Sequence, residues 1–150
     1  MTDIPRAPLI LGLAGLIPFC WGAATVISPG LAIWGIDVLG PPFVGPYVQI
    51  FYGAIILSFM SGVLWGFATK AEGRVAAVGY TLSVIPALWA FFTTGGGPSA
   101  ASKYLIAGFL GLLALDWVFW RYQLAPPWWM QLRILLTAIV VICLSVWLLK

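Results

Sequence analysis

Five stretches of this chain are each long and apolar enough to cross a lipid bilayer, and most of the links between them are short. They cover residues 8–28, 47–69, 75–94, 104–120 and 132–149. A hydrocarbon core of about 30 Å takes about 20 mostly apolar helical residues. No water reaches backbone N–H and C=O groups there, so each stretch must close its hydrogen bonds within itself, as a helix. The pattern predicts an all-α polytopic membrane protein, a single domain over residues 1–150 with five transmembrane helices. Composition excludes the alternatives. Of 150 residues, 63% are hydrophobic and 7% are charged, whereas an ordinary soluble domain carries about 25% charge. A disordered chain needs low hydrophobicity and high charge.

The first stretch is read as a retained helix. Its apolar run exceeds the 7–15 residues typical of a signal peptide, and no small-x-small cleavage site follows closely. The link after it, residues 29–46, is the longest. It holds Leu31, Ile33, Trp34, Ile36, Val38 and Leu39 around the single charge of Asp37. Such a segment suits a short interfacial helix or a re-entrant one. Gly95, Gly96, Gly97 and Pro98 begin the link between the third and fourth helices, since this run cannot continue a helix.

Basic residues in short loops set orientation. Of the seven Lys and Arg residues, Arg6, Lys70, Arg74, Arg121 and Arg133 fall on one side, and Lys103 and Lys150 on the other. The expected N-terminus is cytoplasmic and the C-terminus periplasmic, in a bacterial inner membrane or, in a eukaryote, the mitochondrial inner membrane.

Within the spans, four features stand out. Ala54, Ser58, Gly62 and Gly66 repeat every four residues and line one stripe of the second helix. Small residues let membrane helices approach closely, so the stripe reads first as internal packing and second as a docking face. Ala107 and Gly111 form a lesser version on the fourth helix. Asp116 is the one acid well inside a span, and charge there is costly. Arg121 lies five residues away, a poor helical offset, whereas Arg133 opens the next helix and reaches in across the hairpin. A structural ion pair fastening the last two helices is the leading reading, and a proton or substrate relay the other. Trp117, Trp120, Trp128 and Trp129, with Tyr122, read as an interfacial belt. Pro18 and Pro86 interrupt two helices, where kinks can open a cavity. Tyr52, Trp65, Pro86 and Trp89 are the candidate ligand-lining residues. Cys20 and Cys143 read as buried neutral thiols with small-hydrophobe behaviour.

The chain has no histidine, which removes the commonest transition-metal ligand and general base. No P-loop, GxSxG or HExxH sequence appears. Catalytic, cofactor and metal sites are therefore not expected, nor is nucleic-acid binding, since the net charge is only +3 without a basic cluster.

Several segments carry a resemblance: residues 4–19 (IPRAPLILGLAGLIPF), 52–59 (YGAIILSF), 62–66 (GVLWG), 80–86 (YTLSVIP) and 132–137 (LRILLT). In this order the chain resembles the uncharacterised bacterial and mitochondrial membrane proteins that share the domain of unknown function 3429 and are similar to transmembrane protein 69. Many members carry a polar residue, often His, before the Trp-Gly, where this chain has Leu64. The resemblance implies an inner-membrane location and several helices, with no established activity. Residues 41–47 (PPFVGPY) more loosely resemble the first loop of the tryptophan-rich sensory proteins.

Two functional classes follow. One is a non-catalytic accessory, assembly or scaffold subunit of a larger membrane complex, such as a respiratory or photosynthetic one. Its partners are membrane lipids and other integral membrane subunits. The alternative is a binder or carrier of a small molecule, lipid or quinone, using a cavity between kinked helices.

Overall fold

A computed structural model describes residues 3–150, and five of its helical segments are long and apolar enough to span a membrane: Arg6–Ile27, Gly45–Ala68, Gly73–Thr93, Pro98–Arg121 and Trp129–Leu148. Among the described residues every regular element is helical. The fourth span starts six residues earlier than its apolar run suggests. Gly97, with φ 84°, turns the chain, and Pro98 then occupies the first helical turn, where its missing N–H costs nothing. Lys103 thus lies in the helix rather than in the loop.

Two spans are broken in the middle. The first consists of α1 (Arg6–Ala14) and α2 (Ile17–Ile27). The third consists of α5 (Gly73–Ser83) and α6 (Ile85–Thr93). A proline lies just past each break as the second residue of the new helix, Pro18 in α2 and Pro86 in α6. Each removes the N–H that would continue the ladder and crowds the carbonyl four residues back. Between these spans lie α3 (Pro29–Leu39), a 3-10 turn (Pro41–Phe43) and α4 (Gly45–Ala68); α7 (Pro98–Arg121) and α8 (Trp129–Leu148) complete the chain. The helix expected in the 29–46 link is α3. At 11 residues it is about 16 Å long and too short to span.

Helix α4 is the hub and packs against α2, α5, α6 and α7, while α8 packs against α7 and α2 and so joins the first span to the last. The core holds Phe19, Leu57, Leu64, Leu105, Phe109, Leu112, Phe119 and Leu144. Leu64, just before the Trp65-Gly66 pair, is fully buried there.

Polar side chains bond backbone groups of neighbouring helices. Ser61 on α4 accepts from the Ala87 amide at 2.9 Å, just past the Pro86 break. Gln49 on α4 donates to the carbonyls of Phe19 on α2 (2.9 Å) and Cys143 on α8 (3.1 Å). Thr25 on α2 accepts from the Gly45 amide at 2.9 Å, which caps the start of α4. The Ser61 and Thr25 bonds satisfy amides that lipid cannot, and the Gln49 bonds tie α4 to α2 and α8.

Of the stripe of Ala54, Ser58, Gly62 and Gly66, only the half-buried Ala54 packs against the core as first expected. Ser58, Gly62 and Gly66 face outward, and a methyl group on Gly62 or Gly66 would meet no atom within 4 Å. Ala107 and Gly111 are likewise exposed. Close approach happens elsewhere. A Cβ on Gly108 would lie 2.8 Å from Trp89 and 2.9 Å from Leu57, and one on Gly22 would collide with the Gln49 side chain and lie 2.9 Å from the Gly45 carbonyl oxygen.

Gly22→Ala is therefore expected to displace Gln49, break its two ties and cost about 1–3 kcal/mol, the usual range for overpacking. Gly62→Leu should stay within about 0.5 kcal/mol of wild type, as an outward-facing site does. Unfolding of both variants in mixed micelles checks the contrast; equal destabilisation would contradict it.

Candidate functional site

The α7–α8 hairpin carries the chain's buried charges. Its turn is pinned by the amides of Leu124 and Ala125, which donate to the Phe119 carbonyl, and by Lys70, whose Nζ donates to the Leu124 carbonyl at 3.0 Å. Gln123 adopts the left-handed conformation at φ 59°. This turn brings Arg133, on the second turn of α8, level with Asp116 near the end of α7.

The Arg133 Nε donates to Asp116 Oδ2 at 2.6 Å. Asp116 is fully buried and the Arg133 side chain is 6% exposed. The indole Nε1 of Trp129 donates to the other carboxylate oxygen at 2.8 Å. Both Asp116 oxygens are thus bonded, as burial of a carboxylate demands. The expected pairing of Asp116 with Arg133 is present. Arg121 takes no part in it; it is exposed and forms no ion pair, because five residues of helix put it on a different face. Trp129 departs from the belt reading, since its N–H is spent on the carboxylate.

Beside the pair lies a cavity of about 490 Å³ between the first span, α4 and α8. Its walls are apolar, with Leu16, Ile56, Met60, Phe109 and Leu136 among them, and Tyr52 lines it as well. Its origin is the Gly15–Leu16 break. Beyond the break, α2 packs on α4 and α8, whereas α1 leans mainly on α8 and buries no residue. The exposed Leu11 and Phe59 flank the gap, so it opens on the lateral surface. Arg133, Trp129, Trp128 and Thr137 line it together with these apolar residues.

The four ligand-lining candidates do not converge. Tyr52 lines this cavity. Pro86 and Trp89 line a separate cleft of about 220 Å³ against α7, and the Trp89 indole donates to the Tyr104 carbonyl at 2.7 Å. Trp65 lines neither; it is half-exposed and rests against the Tyr80 ring at 4.6 Å. Thr137 was missing from the sequence reading, and Trp129 was read there only as part of the belt. The signal available was the spacing Trp129, Arg133, Thr137, a polar stripe repeating every four residues along α8. Cys20 and Cys143 meet, with sulfurs 3.9 Å apart. Cys143 is buried, but Cys20 is exposed, contrary to the expectation of two buried thiols. Among the described residues, no three His, Cys, Asp or Glu side chains gather as metal ligands would.

Fold and site together define a multi-pass helical membrane protein with a buried ion pair beside a lateral apolar cavity. Residues 4–149 match the family model described as Protein of unknown function (DUF3429), and the chain belongs to that family. It is similar to Transmembrane protein 69 of Xenopus tropicalis, 36% identical over 150 residues that cover 96% of this chain and 54% of that protein. The chain thus spans about half the length of that curated relative. No solved structure matches it.

Removing one partner of a buried pair leaves an uncompensated charge and typically costs about 3–5 kcal/mol. Arg133→Leu is expected in that range, and the double variant Asp116→Leu/Arg133→Leu should recover most of the loss. Unfolding of the double-mutant cycle in mixed micelles measures the coupling; additive losses would show that the two residues act separately.

Proposed function

We propose that this chain is a non-catalytic, multi-pass inner-membrane protein that takes up an apolar small molecule of the lipid or quinone class from the bilayer. The observation that carries this reading is the lateral cavity of about 490 Å³. Its size falls in the range of ligand sites, about 300–1,000 Å³, and its walls are apolar with a few polar groups, as such sites are. A molecule dissolved in the bilayer enters through the gap between α1 and α4 without crossing water. The non-catalytic reading is supported by the absence of histidine and by the mutual satisfaction of Asp116 and Arg133, which favours the structural pair over a relay. Arg6, Lys70, Arg74 and Arg121, four basic residues on one side once the buried and paired Arg133 is set aside, favour a cytoplasmic N-terminus in a bacterial inner membrane, or the matrix side of a mitochondrial one.

A second reading, an accessory, assembly or scaffold subunit of a larger membrane complex, has its own support. Gly62 and Gly66 form an outward stripe open to close approach by another helix.

Gentle detergent extraction followed by mass spectrometry of what co-purifies separates the two. The ligand reading expects the wild-type chain to retain a small amphiphile. Ile56→Trp, which fills the cavity, should reduce that retention at least tenfold while the protein stays folded. Retention unchanged in this variant would overturn the reading. The subunit reading expects a stoichiometric set of membrane proteins that is lost with Gly62→Leu.

A further inference from the structure

Independently of that reading, we infer that a second cavity, the cleft between α5 and α7, binds one anionic glycerophospholipid, with its phosphate on Arg74 and Tyr122 and an acyl chain along α5. The cleft exists because α5 and α7 both pack on α4 but touch each other little. It has a volume of about 310 Å³, and Val75, Val78 and Val118 give it apolar walls. Arg74 and Tyr122 line it too. Arg74 lies in the first turn of α5 and Tyr122 just past the end of α7, so both stand at span ends, the depth of lipid head groups and of interfacial tyrosines. Both side chains are exposed, so their donors are open to a ligand. Leu82 continues the cleft from Arg74 toward mid-membrane, about 12 Å along α5 at 1.5 Å per residue. The site is cationic at the membrane surface and apolar beneath it, which is how a phospholipid is divided.

Charge decides which phospholipid. In the cavity beside α1, Arg133 is neutralised by Asp116; among the described residues Arg74 pairs with no carboxylate. Lys70 adds a second cation at the rim of the cleft. Its Nζ donates to the carbonyl of Leu124, a residue of the cleft wall, at 3.0 Å, which spends one of its three donors. Arg121, exposed, precedes Tyr122 in the chain. The acid at this end is Glu72, which neither caps α5 nor pairs with these cations. Lys70, Arg74 and Arg121 outnumber it, so the rim is net positive. A phosphate under an uncharged head complements that rim, whereas a quaternary ammonium head brings a further cation among three. A guanidinium can give a phosphate two parallel N–H bonds, and the Tyr122 phenol adds a third donor. Basic pockets between membrane helices recognise anionic lipid heads in this way. Free phosphate would leave the apolar walls unfilled, while an acyl chain gains from each CH₂ it buries; the occupant is therefore the lipid.

Native mass spectrometry of the full chain released from detergent micelles counts bound lipid directly. Three probes are used: dioleoylphosphatidylglycerol, dioleoylphosphatidylcholine with the same chains, and glycerol 3-phosphate, which has the phosphate without chains. Wild type is expected to bind phosphatidylglycerol one to one and more tightly than the other two. Arg74→Gln should weaken phosphatidylglycerol about fivefold, the contribution of one cation near an anionic lipid, and leave phosphatidylcholine unchanged. Val78→Trp, which fills the cleft from an exposed position, should weaken both lipids. Arg6→Gln removes a cation from the same side of the membrane away from the cleft and should leave the preference intact. Equal binding of the two lipids by wild type would overturn the charge assignment. An equal loss in Arg6→Gln and Arg74→Gln would reduce the preference to general attraction by a basic face and overturn the site. Binding of glycerol 3-phosphate as tight as that of phosphatidylglycerol would overturn the lipid as occupant. Phosphatidylglycerol binding unchanged in both Arg74→Gln and Val78→Trp would show that the lipid binds elsewhere, and the proposal fails.

Discussion

Hydrocarbon offers no hydrogen-bond partners, and the architecture of this chain follows from how it answers that constraint wherever a helix is interrupted. Two of the five spans carry a proline just after a break, Pro18 and Pro86. Each break frees backbone groups that water would satisfy in a soluble protein. Here polar side chains reach backbone groups on neighbouring helices, and the bonds of Ser61, Gln49 and Thr25 all involve α4, although only the Ala87 amide lies at a break. Ser61 takes the Ala87 amide, Gln49 reaches the carbonyls of Phe19 and Cys143, and Thr25 caps the first amide of α4. These bonds also fix which helices touch. Association in lipid has no hydrophobic driving force and rests on packing and interhelical hydrogen bonds. The hub position of α4 is thus the outcome of three polar side chains as much as of its apolar surface.

The Asp116–Arg133 pair answers the same constraint at higher stakes. Each charge costs several kcal/mol to bury, and good geometry is needed to offset that cost. The carboxylate is bonded on both oxygens, by Arg133 and by the Trp129 indole. The pair therefore holds α7 and α8 level without leaving a free negative group. The imbalance falls on the donor side, where Arg133 Nη2 and the Thr137 hydroxyl remain.

How far the sequence was legible divides along the same line. The five spans follow from apolar length alone, and rare charge made the Asp116–Arg133 pair legible. Boundaries drifted where one signal serves two purposes. Gly95–Pro98 marks a link, yet Pro98 also starts a helix, so α7 begins six residues before the run at residue 104. Pro18 and Pro86 announced kinks, but α1 already ends four residues before Pro18 and α5 three before Pro86. The stripe of Ala54, Ser58, Gly62 and Gly66 was assigned to the wrong environment for a physical reason. Lipid tails and protein interiors are equally apolar, so spacing reveals a face without revealing what it meets. The face that packs inward, with Gly53, Leu57, Ser61 and Leu64, is offset from the stripe by a fraction of a turn. Thr137 escaped notice because a threonine in a helix usually bonds its own backbone, and only the fold shows that this one does not.

The cavity and the first break are a single feature. Past Leu16 the chain packs on α4 and α8, while before Gly15 it leans away on α8 with no buried residue. In water such a gap would close, because exposed Leu11 and Phe59 would be drawn inward. In a bilayer the drive to close is absent, and an open gap merely loses dispersion contacts until an apolar molecule fills it. Filling alone selects nothing, since any acyl chain restores those contacts. The broken first span thus leaves beside Tyr52 and the apolar residues of α4 and α8 a lateral gap that a bilayer, unlike water, gives a chain with 7% charge no hydrophobic drive to close.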